Sequence, residues 1–297
     1  MRPRHWSARA GAAALALACA GSAGSAGSAA AQTAQTAKNA QTPRAVAAKA
    51  AAQPAGPIIE QRAVDLLRAA SDRLAAAQSM RFTAVASYEY PSRLGPPILY
   101  TMRYDVALQR PNQLKIVVPG DGPATEFVYD GKEMLAFAPK ENLVAVAAAP
   151  PTLEGALRQA QQQAQIYFPF TDLLLPDPYA AISQGAVLAF VVGPSIVVGG
   201  VNTDMVVWAS KEVFMQLWIG SDDKLPRRIR AIYRNDARGL RHDLELSHWQ
   251  LDGPIGAEYF ATDKARTAQP MKFAVPGPSR PAPAKKPVAA KPAPRPQ

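Results

Sequence analysis

What most narrows the fold of this chain is a run of two-residue alternations set so close together that no helix fits between them. Phe82, Ala84, Ala86, Tyr88 and Tyr90 alternate with Thr83, Val85, Ser87 and Glu89, and Ile98, Tyr100, Met102, Tyr104 and Val106 alternate with Leu99, Thr101, Arg103 and Asp105. Period two marks a strand with one buried face. Residues 91–97, with three prolines and a glycine, supply the turn between these two. Further strands are predicted over 114–118, 126–129, 134–138 and 143–147, split by Pro119-Gly120-Asp121-Gly122, Asp130-Gly131 and Pro139-Lys140-Glu141-Asn142. Asp-Gly between alternating runs is a strong hairpin signal. A parallel crossover needs about a dozen residues or more, so these spacings predict an antiparallel meander.

Two stretches switch to helical spacing. Over 58–79, Val64, Leu67, Ala70 (or Ser71) and Leu74 recur at three and four residues, while Arg62, Asp65, Arg68, Asp72 and Arg73 fall elsewhere. Thr152, with Glu154 behind it, opens a second helix in which Leu153, Leu157, Ala160, Ala164 and Tyr167 share a face. Phe168, Phe170, Leu173, Leu174 and Leu175 extend its apolar character past Pro169. Strands resume over 187–192, 195–198, 205–209, 213–219, 227–233 and 243–249, with turns at Asp222-Asp223-Lys224 and 235–239. The expected class is α+β: a strongly curved antiparallel half-barrel sheet, preceded by one helix, interrupted by another and lidded by both. Such a sheet encloses an apolar space.

The ends read differently. Arg2, Arg4 and Arg9 precede an apolar run over 10–20 centred on Leu15 and Leu17, and Ala29-Ala30-Ala31-Gln32 offers an A-x-A cleavage site. The run is about half the roughly 20 residues a membrane span needs, so 1–31 is expected to be a cleavable secretion signal and the mature protein periplasmic. Cys19, the only cysteine, is the alternative, as the acylated first residue of an outer-membrane lipoprotein; a lipobox wants leucine three positions earlier, where Ala16 stands. Residues 32–57 (Ala, Gln, Thr, Pro) and 276–297 (Pro, Ala, Lys) are expected to be disordered, leaving 58–275 as the folded domain.

The net charge of +10 sits in these ends. Residues 1–57 carry six basic groups and 264–297 carry eight, with no acid in either; the segment between holds 19 basic groups against all 23 acids, a net of −4. That argues against a nucleic-acid-binding fold. It leaves peripheral contact of the basic tail with anionic lipid or cell wall beside the plainer role of a solvated spacer.

Chemistry is sparse. Outside the leader only His242 and His248 occur; their even spacing puts them on one strand face but about 20 Å apart, too far to share a metal. No cysteine pairs with them, no G-x-S-x-G, Walker or H-E-x-x-H motif is present, and no metal or cofactor is implied. The pairs Asp172 and Asp177, Asp222 and Asp223, and Asp243 and Glu245 are accounted for by turns, caps and exposed strands, with no sign of burial that would raise a pKa. The densest basic cluster is Leu225-Pro226-Arg227-Arg228-Ile229-Arg230, where alternation sets Arg228 and Arg230 on one face. It reads as a solvated hairpin flank or as a surface for an anionic headgroup or partner.

Gln109-Arg110-Pro111-Asn112-Gln113-Leu114, then Phe127-Val128-Tyr129-Asp130-Gly131-Lys132-Glu133-Met134 and Pro139-Lys140-Glu141-Asn142, resemble the periplasmic lipoprotein-carrier superfamily typified by LolA, LolB and RseB. Trp218-Ile219-Gly220 through Leu225-Pro226 and Ile229 is similar to its later hairpin, while 180–203, with Gly193-Pro194 and Gly199-Gly200, departs from the pattern. Over 58–275 the chain more closely resembles predicted periplasmic proteins grouped as domain of unknown function 2092. The resemblance implies a non-enzymatic half-barrel that holds a lipid or a lipoprotein acyl chain under a lid. Here the lid is the insert over 153–175. The arginine of R-P-N then becomes a lid-gating candidate, Arg110, with Leu157, Tyr167, Phe168, Phe170, Tyr100, Met102, Phe127 and Phe137 as cavity or lid candidates. The alternative is an RseB-like envelope protein-interaction or stress-sensing module.

Overall fold

In the computed structural model, which describes residues 58–120 and 124–275, the alternating segments join into one 13-stranded sheet. The chain enters at β1 (Ile58–Ile59), passes through helix α1 (Gln61–Ala76) and lays down β2 (Ser79–Tyr90), β3 (Ile98–Gln109), β4 (Gln113–Val118), β5 (Thr125–Tyr129), β6 (Glu133–Ala138) and β7 (Leu143–Ala148). Helices α2 (Leu153–Ala164), α3 (Thr171–Leu174) and α4 (Pro178–Ser183) follow. The sheet resumes with β8 (Ala186–Ser195), β9 (Thr203–Ser210), β10 (Val213–Gly220), β11 (Pro226–Tyr233) and β12 (Arg241–Leu251), and the chain closes with α5 (Asp263–Arg266) and β13 (Gln269–Met271).

The strand order, β1-β8-β9-β10-β11-β12-β2-β3-β4-β5-β6-β7-β13, explains where the helices lie. Two meanders sit side by side, joined by β12 on β2, so β7 and β8 stand near opposite edges. Residues 149–185 must cross the sheet to connect them, and α2, α3 and α4 lie over one face for that reason. The sheet is curved and does not close. Every neighbouring pair is antiparallel except at the two edges, where β1 and β13 pair parallel with β8 and β7. The spacing rule that predicted a pure meander does not reach them, because both arrive through long connections.

Local chemistry trims the helices. Glu60 is extended (φ −78°, ψ 122°), so Ile58 and Ile59 join the sheet and α1 starts at Gln61, burying Ala63, Leu67, Ala70, Ser71 and Leu74. The two strands expected over 187–198 are one, with a register shift between Val191 and Gly193 and a 3-10 turn at Val198–Gly200. Among the described residues, no helix is long and apolar enough to cross a membrane.

The inner, helix-bearing face of the sheet buries Met80, Phe82, Ala84, Val106, Leu108, Leu114, Ile116 and Met134 beneath α2 and α3. A second apolar cluster packs α1 against Ala189, Val206, Trp208, Leu217 and Ile219. A third joins Val128, Leu135, Phe137 and Val144 to Ala265 and Ala268 of the C-terminal segment.

The R-P-N and Asp-Gly motifs meet at one corner. Asp130 Oδ1 accepts the N–H groups of Lys132 (2.9 Å) and Glu133 (2.8 Å). Gly131 takes φ 91°, and a Cβ there would lie 2.2 Å from the Asn112 amide nitrogen. Gly131→Ala is therefore expected to cost about 1–3 kcal/mol, read as a lower denaturant midpoint at unchanged slope. Adding Asn112→Ala should recover the steric part and not the backbone part.

Candidate functional site

The lid forms because its sequence turns the chain back on itself. Thr152 Oγ1 accepts the Gly155 N–H (3.2 Å) at the start of α2, which buries Leu153, Ala156, Leu157 and Ala160. Gln165 ends the helix in a left-handed conformation (φ 55°), its N–H reaching the carbonyls of Ala160 and Gln161. Ile166 to Phe170 then fold under, and α3 runs back.

This reversal drives two aromatic rings into the sheet. Phe168 (6% exposed) lies 5.4 Å from Phe127 and 6.2 Å from Tyr104. Phe170 (1% exposed) lies 5.3 Å from Tyr104 and 5.6 Å from Phe82. Phe82 in turn stacks on Trp249 at 4.4 Å. Leu173 and Leu174 are buried beside them, and the lid fills the space it covers. A crevice between α1, α3 and the β10–β11 hairpin, lined by Leu67, Leu74, Leu173, Leu217 and Ile229, holds about 10 Å³, room for a single water-sized sphere.

Arg110 bridges the ends of α1 and α3. Its Nε donates to the Ala77 carbonyl (3.1 Å), Nη1 to Leu174 (3.1 Å), and Nη2 to Leu175 (3.3 Å) and Leu74 (3.5 Å). These carbonyls are the unsatisfied C-terminal ends of α1 and α3, where the helix dipole favours a cation. Burial pulls the arginine pKa down, and all four bonds go to neutral carbonyls.

The other candidates divide. Leu157, Phe168, Phe170 and Phe127 meet in the lid core, with Met102 packed against it. Tyr100 (43% exposed) and Tyr167 (53% exposed) stay largely open to solvent and are not part of that core. Phe137 does not belong with them: it pairs with Glu126 and Val144, one residue out of step with Phe127, and packs with Ala265 and Ala268 on the other face. Arg228 is spent internally, on Asp243 (3.0 Å), Glu245 (3.6 Å) and the Trp218 ring (5.6 Å). Arg230 stands opposite Gln216 and Asp243, its Nε buried without a hydrogen-bond partner. Cys19 lies outside the described residues.

The histidine and carboxylate expectations need correction. A register shift between Ser247 and Gln250 breaks the alternation that would have set His248 on the face of His242. Desolvation lowers the His242 pKa. Asp172, which nothing in the sequence marks as perturbed, has its carboxyl pushed up by the protein around it although its surface stays open. Among the described residues, no group of three or more His, Cys, Asp or Glu could hold a metal ion. Tyr88 and Tyr104 escape a motif search; the available signal is that both tyrosine-rich strands carry their aromatic rings on the inner positions.

Residues 63–274 match the model of a family described as a predicted periplasmic protein (DUF2092). No curated protein matches the chain. Among solved structures, the Mycobacterium tuberculosis lipoprotein LppX is similar at 14% identity and a TM-score of 0.42, over 66% of this chain and 98% of that one. A LolA superfamily protein from Nitrosomonas europaea is similar at 12% identity and 0.34, over 68% and 98%. The Pseudomonas aeruginosa MucA/MucB complex is similar at 14% identity and 0.39, over 69% of this chain and 62% of the matched chain.

Proposed function

The chain belongs to the family of predicted periplasmic proteins described as domain of unknown function 2092, and on that premise we propose a non-enzymatic binding protein that holds an apolar or acylated ligand on the inner face of its half-barrel. One observation carries this. The apolar inner face is covered by a segment that only crosses it, anchored through Phe168, Phe170, Leu173 and Leu174 and latched by Arg110. A ligand enters by exchanging its own apolar contacts for those of the lid.

Magnitudes set the kind of ligand. Burying each of those four side chains contributes about 1.5–3 kcal/mol, so lifting all of them costs roughly 6–12 kcal/mol. Each methylene of a ligand returns about 0.8 kcal/mol, so a chain of about a dozen carbons is needed to break even. Binding is therefore expected to switch on with chain length: saturated fatty acids of about eight carbons leave the fluorescence of Trp249 unchanged and those of about sixteen shift it. A delipidated protein that responds to neither, and that carries no lipid when taken from its native envelope, would end this reading.

Mass spectrometry of the native protein also tests export. Cleavage after Ala31 gives one mature mass and acylation of Cys19 another. The filled hollow favours a second reading, an envelope protein-interaction or stress-sensing module. A stoichiometric envelope partner bound by protein that never takes up lipid would decide for it.

A further inference from the structure

The β2–β3 hairpin runs past the sheet that carries it, at the end away from Arg110. On one side β12 reaches only to Tyr88, where His242 pairs; on the other, β4 reaches only to Asp105, where Val117 pairs. Beyond Tyr88 and Tyr100 no strand among the described residues flanks the hairpin, although its two strands stay paired with each other to Tyr90 and Ile98. The tip has a definite shape: the Ser92 hydroxyl accepts the Leu94 N–H (2.9 Å), Gly95 takes φ 107°, and Pro91, Pro96 and Pro97 stiffen the turn.

This tip is apolar in every direction. Leu94 at its end is 92% exposed and Leu99 63%, and Ile98, Tyr90 and Tyr100 are exposed as well. By alternation Tyr90, Ile98 and Tyr100 share the inner face with Phe82, while Leu99 stands on the outer one opposite Glu89. A hairpin that docks against a folded partner needs apolar residues on the side it presents. Here both sides and the end carry them, which suits a medium that surrounds the tip. Tyrosine, with an apolar body and a polar hydroxyl, belongs at the border of such a medium.

The neighbouring turns supply charge. The β11–β12 turn stands at the base of the hairpin, where the Arg241 N–H donates to Glu89 (2.9 Å), and the β9–β10 turn lies next to it, where the Arg234 N–H donates to the Glu212 carbonyl (2.8 Å). Over 89–99, 211–212 and 234–241, five cations stand against three acids. Arg93, Lys211, Arg234 and Arg238 are exposed, and among the described residues their side chains make no hydrogen bond or ion pair. The opposite end of the sheet offers a contrast. Val197, between β8 and β9, is 84% exposed there, but its loop borders the turn of Asp222 and Asp223 through the Ser221 N–H on the Asn202 carbonyl (2.8 Å). The cations of that turn, Lys224 and Arg227, are engaged within it.

We propose that the β2–β3 tip docks on an anionic lipid surface, with Leu94, Ile98 and Leu99 entering its apolar boundary and Arg93, Arg234 and Arg238 meeting its headgroups. The docking is independent of what the half-barrel holds.

The test is flotation of the full chain, tails included, with vesicles of phosphatidylglycerol mixed into phosphatidylcholine, beside vesicles of phosphatidylcholine alone. Leu94→Glu should weaken binding to the mixed vesicles roughly tenfold or more. Val197→Glu makes the same change of charge at the opposite end and should stay within about twofold of the parent protein. Both positions are open to solvent, and unchanged melting curves show that neither variant is misfolded. Leu94→Trp should give emission that moves to the blue when the mixed vesicles are added. Binding that Leu94→Glu leaves intact belongs to the basic tails and overturns the proposal. So does an equal loss from Val197→Glu, an affinity for the neutral vesicles that matches or exceeds that for the mixed ones, or a Leu94→Trp emission that does not move. A dimer that Leu94→Glu dissolves, read by light scattering, would give the tip to a second copy and overturn it as well. Failure of the parent protein to bind either vesicle ends the docking and leaves acyl binding to its own titration.

Discussion

Arg110→Met is expected to lower stability by about 3 kcal/mol and, at the same time, to tighten the binding of a long acyl chain. The stability loss follows from what the guanidinium satisfies. Its four bonds end on carbonyls of Leu74, Ala77, Leu174 and Leu175, and a methionine of similar length fills the space while leaving those acceptors unpaired. Orphaned buried acceptors cost about 1–3 kcal/mol each where water cannot reach them, and water will reach some. A loss of about 3 kcal/mol moves the melting temperature of a domain this size down by roughly 6–12 °C.

The affinity gain has a different origin. Two of the bonds are made to the end of α3; on the proposed reading they exist only while the lid is shut, so removing them raises the open fraction and divides the apparent Kd accordingly. Each 1.4 kcal/mol taken from the closed state should improve affinity about tenfold until the lid is mostly open. Arg110→Lys keeps the charge but not the planar fork and should fall between. Melting curves and sixteen-carbon fatty-acid titrations on the same three proteins read both effects. Stability lost with no gain in affinity would make Arg110 a structural cap and remove the latch.

What the sequence shows and what it hides follow one physical line. Alternation over 82–90 and 98–106 marks strands with one apolar face, and β2 and β3 span those positions in the middle of the sheet, with one face toward the core and the other toward water. The helix of the insert was readable through local chemistry, a Thr cap and an apolar face, whereas Arg110 was singled out only through the R-P-N resemblance, and no local pattern marks its contacts with Leu174 and Leu175. Phe137 was placed on the wrong side because alternation separates two faces without saying which is inner. In β6 both carry apolar residues, since Ala265 and Ala268 pack on the outer one. The stacked row of Tyr100, Tyr88 and His242 was invisible for another reason: Tyr88 and His242 become neighbours only through the pairing of β12 with β2. Edges β1 and β13, two and three residues long, are too short to carry a period at all.

Phe170→Ala separates a lid from an ordinary core most sharply. The ring is 1% exposed and touches Phe82, Tyr104 and Phe168, so its truncation should cost about 3–5 kcal/mol in transfer and cavity energy. Leu114→Ala, at a fully buried position of β4, should cost about 2–5 kcal/mol by the same mechanism. The two are distinguished by ligand. On the proposed reading a bound sixteen-carbon fatty acid displaces the ring of Phe170, so the penalty of its removal belongs only to the free protein, while β4 keeps Leu114 in both states. Unfolding measured with and without saturating ligand should therefore show the Phe170→Ala deficit shrinking by more than half while the Leu114→Ala deficit stays constant. Equal deficits in both conditions would mean that the ligand, if it binds, binds somewhere other than beneath α3.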